Sequence, residues 1–158
     1  MKKHLFTVGF QLCFLLACFG QVKGKKSLQE LTDGNPAWNM VLQMKASARN
    51  QIEVLPRDKS RADSALVESQ IPTSSLVGSM IHETGGVLVD NGWIRILGSG
   101  CNRLDRSLPS WNKGKAAVRG KGLADFMLVA DDVMGGFFAL KTNDNMKLDS
   151  CTVYYFGP

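Results

Sequence analysis

The feature that most constrains the fold is a ten-residue stretch, residues 87–96, in which two apolar runs flank an Asn-Gly pair. This arrangement is typical of a β-hairpin with a two-residue type I′ turn. The turn sets the register, with Asp90 opposite Trp93, and the register puts the apolar side chains on one face. Those side chains are Val87, Val89, Ile94 and Ile96. The sequence therefore predicts a hairpin whose apolar face is covered by another element.

Helical signals precede this hairpin, and strand signals surround it. Cap residues and apolar residues at helical spacing predict helices at 36–49, 62–70 and 73–84, the last ended by a Gly-Gly pair, whereas residues 25–34 are polar and carry no such pattern. Short apolar runs bounded by turn residues predict further strands at 51–56, 126–130, 137–140 and 151–156. This order favours an α+β fold, an antiparallel sheet of two hairpins plus a final strand, with N-terminal helices packed on one face.

The first 24 residues have the pattern of an export signal. Lys2 and Lys3 precede an apolar run that contains no charge before Lys23. The run is shorter than the roughly 20 apolar residues that a membrane-spanning helix needs. We therefore expect a signal peptide over residues 1–24, cleaved between about positions 17 and 24. The working protein is then expected in the periplasm or outside the cell.

Two cleavage routes are open. Residues 15–18, Leu-Leu-Ala-Cys, resemble a lipobox, whereas Gly20 and Gly24 suit ordinary signal peptidase. The residues around the cysteine fit a lipobox poorly, so ordinary cleavage is the expectation. Lipidation of Cys18 would instead anchor the protein on a membrane surface, as a structural envelope lipoprotein.

Removal of the signal changes the charge and leaves one domain. Three lysines and no acidic residue leave with residues 1–24, so 16 Lys and Arg remain against 14 Asp and Glu, a net charge of +2 instead of +5. A strongly basic mature protein is thus not predicted. Residues 25–158 suffice for one domain with its own core and are too few for two, so we predict a single α+β domain there.

Two cysteines remain after the signal, Cys101 and Cys151. In an oxidising compartment they are a candidate disulfide, which would close a loop of about 50 residues and stabilise the fold by about 4 kcal/mol in the chain-entropy view. Two buried free thiols are the alternative. The sequence leaves both open.

Residues 103–121 form a basic stretch that includes a tryptophan. Six Lys and Arg stand there against the single acidic residue Asp105. Arg and Trp are residue types that interface hot spots favour, and the candidate partner-binding residues are Arg103, Arg106, Trp111 and Lys113. They favour a non-enzymatic binding domain for a protein or another anionic envelope partner, with nucleic acid not expected outside the cell. A solvated positive loop is the alternative.

No catalytic residue can be assigned from the sequence. An envelope-acting hydrolase remains the alternative function, using Asp131 and Asp132, or a thiolate of Cys101 near Arg103. Adjacent aspartates in a turn, however, usually diverge and satisfy loop amides.

Metal and cofactor sites are not predicted. His82 is the only histidine after the signal, and it is expected to serve a structural role late in a helix. Residues 98–100, Gly-Ser-Gly, lack the third glycine of a dinucleotide fingerprint. They are expected to end a strand, with an anion-binding nest as the alternative.

Four segments of the chain form a specific combination of motifs. They are Val-Leu-Pro at 54–56, Glu-Thr-Gly-Gly-Val-Leu-Val-Asp-Asn-Gly-Trp-Ile-Arg-Ile-Leu-Gly-Ser-Gly at 83–100, Leu-Pro-Ser-Trp-Asn-Lys-Gly at 108–114 and Ala-Asp-Asp-Val-Met-Gly-Gly-Phe-Phe-Ala at 130–139. With these segments the chain resembles the bacterial family known as domain of unknown function 2625. The resemblance spans roughly residues 38–158 and implies no activity or catalytic residue. By this resemblance we expect a chain truncated at the C-terminus, either as a shortened variant or as an incomplete reading frame, because family members continue beyond the position of Pro158.

A looser similarity joins the chain to the SMI1/KNR4-like immunity proteins. It consists in the order of a helix, a Gly-Gly break, a hairpin and a later hairpin with Asp and Gly-Gly. By that similarity the domain would bind and neutralise a toxin, an implication of fold likeness alone.

Export can be tested on protein recovered from a bacterial host. We expect intact-mass spectrometry to show cleavage between about positions 17 and 24. A Cys18→Ser variant should fractionate like the wild-type protein, because ordinary cleavage does not use that thiol. A mature mass that still includes Met1 would contradict export, and a shift of Cys18→Ser out of the membrane fraction would establish lipidation.

Overall fold

A computed structural model describes residues 24–113, 126–142 and 148–158. In these ranges six strands form one antiparallel sheet in chain order: β1 Ile52–Leu55, β2 Gly86–Val89, β3 Ile94–Leu97, β4 Phe126–Asp132, β5 Phe137–Thr142 and β6 Leu148–Phe156. The helices are α1 Leu28–Thr32, α2 Trp38–Ser47, α3 Lys59–Ser69, α4 Leu76–Glu83 and α5 Leu108–Asn112. The predicted α+β class, with its two hairpins and final strand, is confirmed.

The first hairpin has the predicted strand register. Val87 lies opposite Ile96, and Val89 lies opposite Ile94. Because successive side chains of a strand point to opposite faces, all four side chains share one face. Met44 of α2 and Met80 of α4 line one apolar cavity together with Ile94 and Ile96 of this face.

The hairpin turn is confirmed at its centre and differs at its flanks. Asn91 and Gly92 have φ of +59° and +90°, as a type I′ turn requires, and the Trp93 N–H donates to the Asp90 carbonyl at 3.2 Å. The predicted extended pair of Asp90 and Trp93 is wrong, since Asp90 has φ +47° and Trp93 is helical. One physical reason is that the Asp90 carboxylate accepts the Gln51 N–H at 3.0 Å, which ties the turn to β1.

The sheet has two faces of different chemistry. Register and alternation assign one set of residues to what we call the apolar face: Ile94, Ile96, Ala130 and Phe138. The other, which we call the arginine face, carries Arg95, Asp131, Phe137 and Phe156. The adjacent aspartates 131 and 132 therefore point to opposite faces.

The buried core joins the helices to the first three strands. Helices α1, α3 and α4 contribute Leu31, Leu66 and Ile81, each with no exposed area, and strands β1 and β3 contribute Leu55 and Leu97. Burial of side chains of this size stabilises by roughly 1.5–3 kcal/mol each. The sheet and the helices thus depend on one shared core.

Two helix starts differ from the sequence prediction because side-chain caps were missed. In the segment predicted to lack regular structure, Ser27 and Glu30 form a capping box that starts α1. Asp58 accepts the Arg61 N–H at 2.9 Å, so α3 begins at residue 59 instead of 62. Helix α2 in turn begins two residues after the predicted start, with Ala37 at the cap position.

The ends of α4 were also predicted imprecisely. Ser75 caps the helix, which therefore begins at Leu76 instead of position 73, and Thr84 ends it in an extended conformation. The Gly-Gly pair does not terminate the helix: Gly86, with φ +146°, opens strand β2. A side chain there would collide with Leu104, which packs at 2.5 Å from the position of a Cβ.

The connection after β3 begins as predicted and then forms a short helix. The N–H groups of Ser99 and Gly100 donate to the carbonyls of Thr84 and Gly85, both at 3.0 Å. These amides are therefore used within the fold, and the anion-nest alternative is wrong. Ser107 then caps α5, while residues 114–125 lie outside the described ranges.

Close packing at Gly78 in α4 gives a test of the fold. A Cβ at this position would lie 2.0 Å from the carbonyl oxygen of Pro72, which is backbone and cannot turn away. We expect Gly78→Ala to lower the free energy of unfolding in urea by about 1–3 kcal/mol, although alanine favours a helix. Asn39→Ala, on the exposed side of α2, is the matched control and should leave stability unchanged or slightly raised. A stable Gly78→Ala protein would contradict this packing.

Candidate functional site

A cluster of charged side chains on the arginine face centres on Asp131. Arg95 donates from Nε to Oδ1 and from Nη2 to Oδ2 of this carboxylate, both at 2.9 Å. Arg106 donates from Nη2 to the same Oδ2. The side chain of Asp131 is 10% exposed, whereas those of Arg95 and Arg106 are 32% and 35% exposed, respectively. Two guanidinium groups thus face solvent around one buried carboxylate, with a net charge of +1.

Trp111 holds the second arginine from its other side. The Arg106 guanidinium carbon lies 4.6 Å from the centre of the Trp111 ring, a cation–π contact. The Nε atom of Arg106 is buried and has no hydrogen-bond partner among the described residues. Because both Asp131 oxygens are already engaged by Arg95, the guanidinium of Arg106 makes one contact to the carboxylate and not two.

Helix α5 positions Trp111 through an unusual link to the sheet. The side-chain amide of Asn112 donates to the Leu128 carbonyl and accepts the Leu128 N–H, both at 2.8 Å. It therefore pairs with β4 as a neighbouring strand would, beyond the point where β3 ends. This pairing fixes the end of α5 against the sheet, and Trp111 with it.

Aromatic side chains extend the charged cluster across the sheet. Phe137 lies directly opposite Asp131, and Phe156 lies opposite Phe137. Their rings stack with centres 5.2 Å apart, and the Phe126 ring meets Phe156 edge-on at 5.3 Å. Tyr154 adds a further edge contact to Phe126 and is 38% exposed. A continuous surface of arginine and aromatic groups results.

Asp132 serves the turn between β4 and β5 on the opposite face. Its Oδ1 accepts the N–H groups of Met134 and Gly136, both at 2.9 Å, and its Oδ2 accepts the Tyr155 hydroxyl at 2.8 Å. The Tyr155 hydrogen bond, followed by those of the turn amides, holds the pKa of Asp132 below its ordinary value. The same contact raises the pKa of Tyr155. Asp132 is thus occupied by structural contacts.

The predicted partner-binding residues do not form one cluster. Arg106 and Trp111 meet, but Arg103 pairs with Glu53 of β1, with Nη2 to Oε2 at 3.1 Å, and this contact lowers the pKa of Glu53. Three strand spacings, about 14 Å, separate Glu53 from Asp131 across the sheet. Lys113 is exposed just after α5. The remaining basic residues of the predicted stretch, Lys115, Arg119 and Lys121, lie outside the described ranges.

The predicted cysteine pairing and lipidation remain predictions. Cys101 is buried, with 8% of its surface exposed, and forms no disulfide among the side chains that the structure describes. Cys151 belongs to β6, but its side chain lies outside the described part of the structure, as does Cys18. A reactive thiolate usually needs access to solvent, so burial weighs against a nucleophilic role for Cys101.

His82 lies in a network of charged side chains near the end of α4. Its Nε2 lies 2.8 Å from Arg57 Nη2, and its Nδ1 lies 2.7 Å from Glu83 Oε1. The Nε2 atom also lies 3.5 Å from Asp63 Oδ1, so the ring is surrounded by charged groups of α3 and α4 and by Arg57. Within the described ranges, no group of three His, Cys, Asp or Glu side chains could hold a metal ion. None of the helices in those ranges combines the length and apolar content that crossing a membrane requires.

The family described as "Protein of unknown function DUF2625" matches residues 28–158. The chain belongs to this family. The predicted resemblance is thereby confirmed, while the similarity to SMI1/KNR4-like proteins stays a prediction. No solved structure matches the fold at a significant level.

Two relatives of this DUF2625 chain are also described as uncharacterised. A protein of Haemophilus influenzae is 45% identical over 133 residues, which cover 84% of this chain and 58% of the relative. The protein YbfG of Escherichia coli is 38% identical over 122 residues, which cover 77% of this chain and 54% of the relative. The chain therefore spans little more than half the length of these relatives.

Several residues of the site were missed by sequence reasoning. Arg95 stands in the middle of an apolar hairpin, and its charge there was a usable signal of a special role, because a strand buried on both faces would carry none. Phe137 and Phe156 were assigned to strands, but their faces depend on a sheet register that only the structure provides.

Removal of the Tyr155 hydroxyl tests the Asp132 contacts. The pKa of Asp132 is lower in the folded state than in the unfolded state, where it is about 3.9. Asp132 therefore stabilises the fold at pH values above about 3.9, and this stabilisation is lost as the pH falls through the folded-state pKa. Tyr155→Phe should therefore lower the melting temperature at pH 6–7, with a deficit that shrinks below about pH 4. Tyr154→Phe, the neighbouring control, should show no such pH-dependent deficit. An equal deficit at pH 7 and pH 2 would show that the hydrogen bond to Asp132 is not the cause.

Proposed function

We propose that this chain is a non-enzymatic binding domain that recognises a protein partner through the arginine face. The observation that carries this proposal is the uninterrupted row formed by Arg95, Asp131, Phe137 and Phe156 on four neighbouring strands. Arginine and aromatic side chains that lie side by side are the groups from which binding hot spots are built.

The fixed position of the arginines supports a role in recognition. Arg106 is held between the Asp131 carboxylate and the Trp111 ring, and Arg95 makes two parallel hydrogen bonds to the same carboxylate. Side chains that are already ordered lose less conformational entropy on binding. Their net positive charge favours acidic groups on the partner.

The occupied carboxylates favour binding over hydrolysis. Asp131 accepts from two arginines, and Asp132 accepts from a tyrosine hydroxyl and two turn amides. A general base needs a carboxylate that can reach a substrate proton, and neither aspartate presents one in this arrangement. The hydrolase alternative therefore has less support than the binding proposal.

Export determines the compartment in which the proposed partner would be met. The domain would act after signal cleavage, and its partner would be a component of the periplasm or the cell surface. Lipidation of Cys18 would bring the same arginine face to a membrane-bound partner.

Site-directed cross-linking in the envelope tests this proposal. A photo-reactive phenylalanine analogue in place of Tyr154 should capture one defined partner, because Tyr154 lies on the arginine face and is 38% exposed. The same analogue in place of Met40, which is 50% exposed on α2, is the control and should not capture it. Equal capture from both positions, or from neither, would contradict recognition through this face.

Affinity for the captured partner then tests the individual contacts. Arg106→Gln should raise the Kd about 10-fold or more, as loss of a hot-spot residue does. Lys113→Gln, just after α5, should have a smaller effect. Lys45→Gln in α2 removes the same charge away from this face and should leave the Kd unchanged. Melting temperatures of all variants separate lost contacts from lost folding.

A further inference from the structure

Strand β6 lies at one edge of the sheet, with β5 on its inner side. It spans nine residues and is longer than any other strand of the described ranges. No strand in those ranges pairs with its outer side. An edge strand presents backbone N–H and C=O groups to which a further strand can bind, and natural proteins usually protect such edges.

The opposite edge of the sheet is protected in the usual ways. Strand β1 has four residues, carries Glu53 paired with Arg103, and is followed directly by Pro56. Short length, charge and proline each discourage the addition of another strand. Residues 151–156 of β6, by contrast, contain no charge, glycine or proline. Such a run of β-branched and aromatic residues is suited to strand pairing.

The side chains along this edge are exposed on both faces of the sheet. Val153 and Tyr155, on the apolar face, are more than half exposed, and Tyr154 is exposed on the arginine face. The Tyr155 hydroxyl is bound to Asp132, and the Tyr154 ring meets Phe126 edge-on. Because these contacts already order the two tyrosines, their pairing with another strand loses little conformational entropy.

We propose that β6 pairs with β6 of a second copy of this chain, antiparallel and about a two-fold axis at Tyr154. An exposed sheet edge binds an extended backbone, and β6 is itself such a backbone, so each copy supplies both halves of the contact. Since residues 151–156 carry no charge, the two strands pair without repulsion between like charges.

The symmetry of the dimer determines which residues meet. A two-fold axis perpendicular to the sheet keeps each face of one copy beside the same face of the other. With the axis at Tyr154, the two Tyr154 side chains lie opposite each other, and each Val153 lies opposite a Tyr155. Pairs of aromatic residues, and pairs of an aromatic with a β-branched residue, stabilise antiparallel sheets. The arginine faces of both copies then lie on the same side of the joined sheet.

Axes at the neighbouring residues give poorer pairs. With the axis at Tyr155, Val153 would lie opposite Gly157, which has no side chain to contact. With the axis at Val153, Phe156 would lie opposite the acidic residue at position 150. The pairing centred on Tyr154 avoids both.

Sedimentation equilibrium of the purified protein tests the dimer with no other protein present, so the result does not depend on the proposed partner surface. The mass should rise from one chain to two with a Kd in the micromolar range, because a single strand edge is a small interface. A monomer at concentrations up to about 1 mM would overturn the proposal. So would open-ended assembly, because the protected edge at β1 leaves the dimer no further edge to extend.

Substitutions with opposite charges test the position of the axis. Tyr154→Lys and Tyr154→Glu should each weaken dimerisation at least about 10-fold, because like charges then face each other across the axis. A 1:1 mixture of the two variants should form dimers again, because opposite charges then meet. Met40→Lys, on the exposed side of α2, adds the same charge away from β6 and should leave dimerisation unchanged.

Two results would contradict the proposed pairing. Dimers that persist in both Tyr154 variants would show that another surface is used, and a mixture that stays monomeric would show that Tyr154 does not face itself. Near-ultraviolet circular dichroism identifies any variant that fails to fold. In cross-linking at position 154, a product with twice the mass of the chain is the dimer and is distinguished in this way from capture of another partner.

Amide hydrogen exchange of the wild-type protein gives a test that needs no substitution. Amides within residues 153–156 should exchange more slowly at protein concentrations above the Kd than below it, because the second copy binds them. Those of β1 should exchange at the same rate at both concentrations. Exchange in β6 that does not change with concentration would overturn the proposal.

Discussion

The carboxylate of Asp131 joins three parts of the chain that are distant in sequence. It receives Arg95 from β3 and Arg106 from the connection that leads to α5, while its own strand pairs with β3. A carboxylate that is almost buried is costly to keep without partners, and two guanidinium groups remove that cost. Together with the pairing of Asn112 with Leu128, this group holds the connection over the sheet and Arg106 against Trp111.

The alternation of side chains along β4 gives the domain two different surfaces. Asp131 points to the arginine face and Asp132 to the apolar face, so neighbouring residues of the same type serve unrelated contacts. On one face, charged and aromatic groups form a surface suited to a protein partner. On the other, side chains of α2 and α4 line an apolar cavity of about 440 Å³ together with Ile94 and Ile96.

Membership of the DUF2625 family shows that the chain has relatives in other bacteria but assigns no activity to either surface. The relatives in Haemophilus influenzae and Escherichia coli share the matched region at 45% and 38% identity and extend well beyond it. Chemistry that a whole relative performs therefore need not reside in the part represented here. The arginine face, on which the proposed binding role rests, is assembled entirely within the described ranges.

Local patterns in the sequence determined the two hairpins and the α+β class, because turn residues and alternation act over a few neighbouring positions. They also determined the register of the first hairpin, in which Val87 pairs with Ile96. Short-range caps were within reach of the sequence but were missed, as at Ser27 and Asp58. The tertiary structure alone decided which cations meet Asp131, because Arg95 and Arg106 lie 36 and 25 positions away along the chain. It also decided that Arg103 pairs with Glu53 of β1 while Arg106 pairs with Asp131 of β4. Two residues that are close in sequence can lie next to different strands, and the sequence does not show which. The cavity, finally, depends on how closely a helix approaches a sheet, a distance that no local pattern encodes.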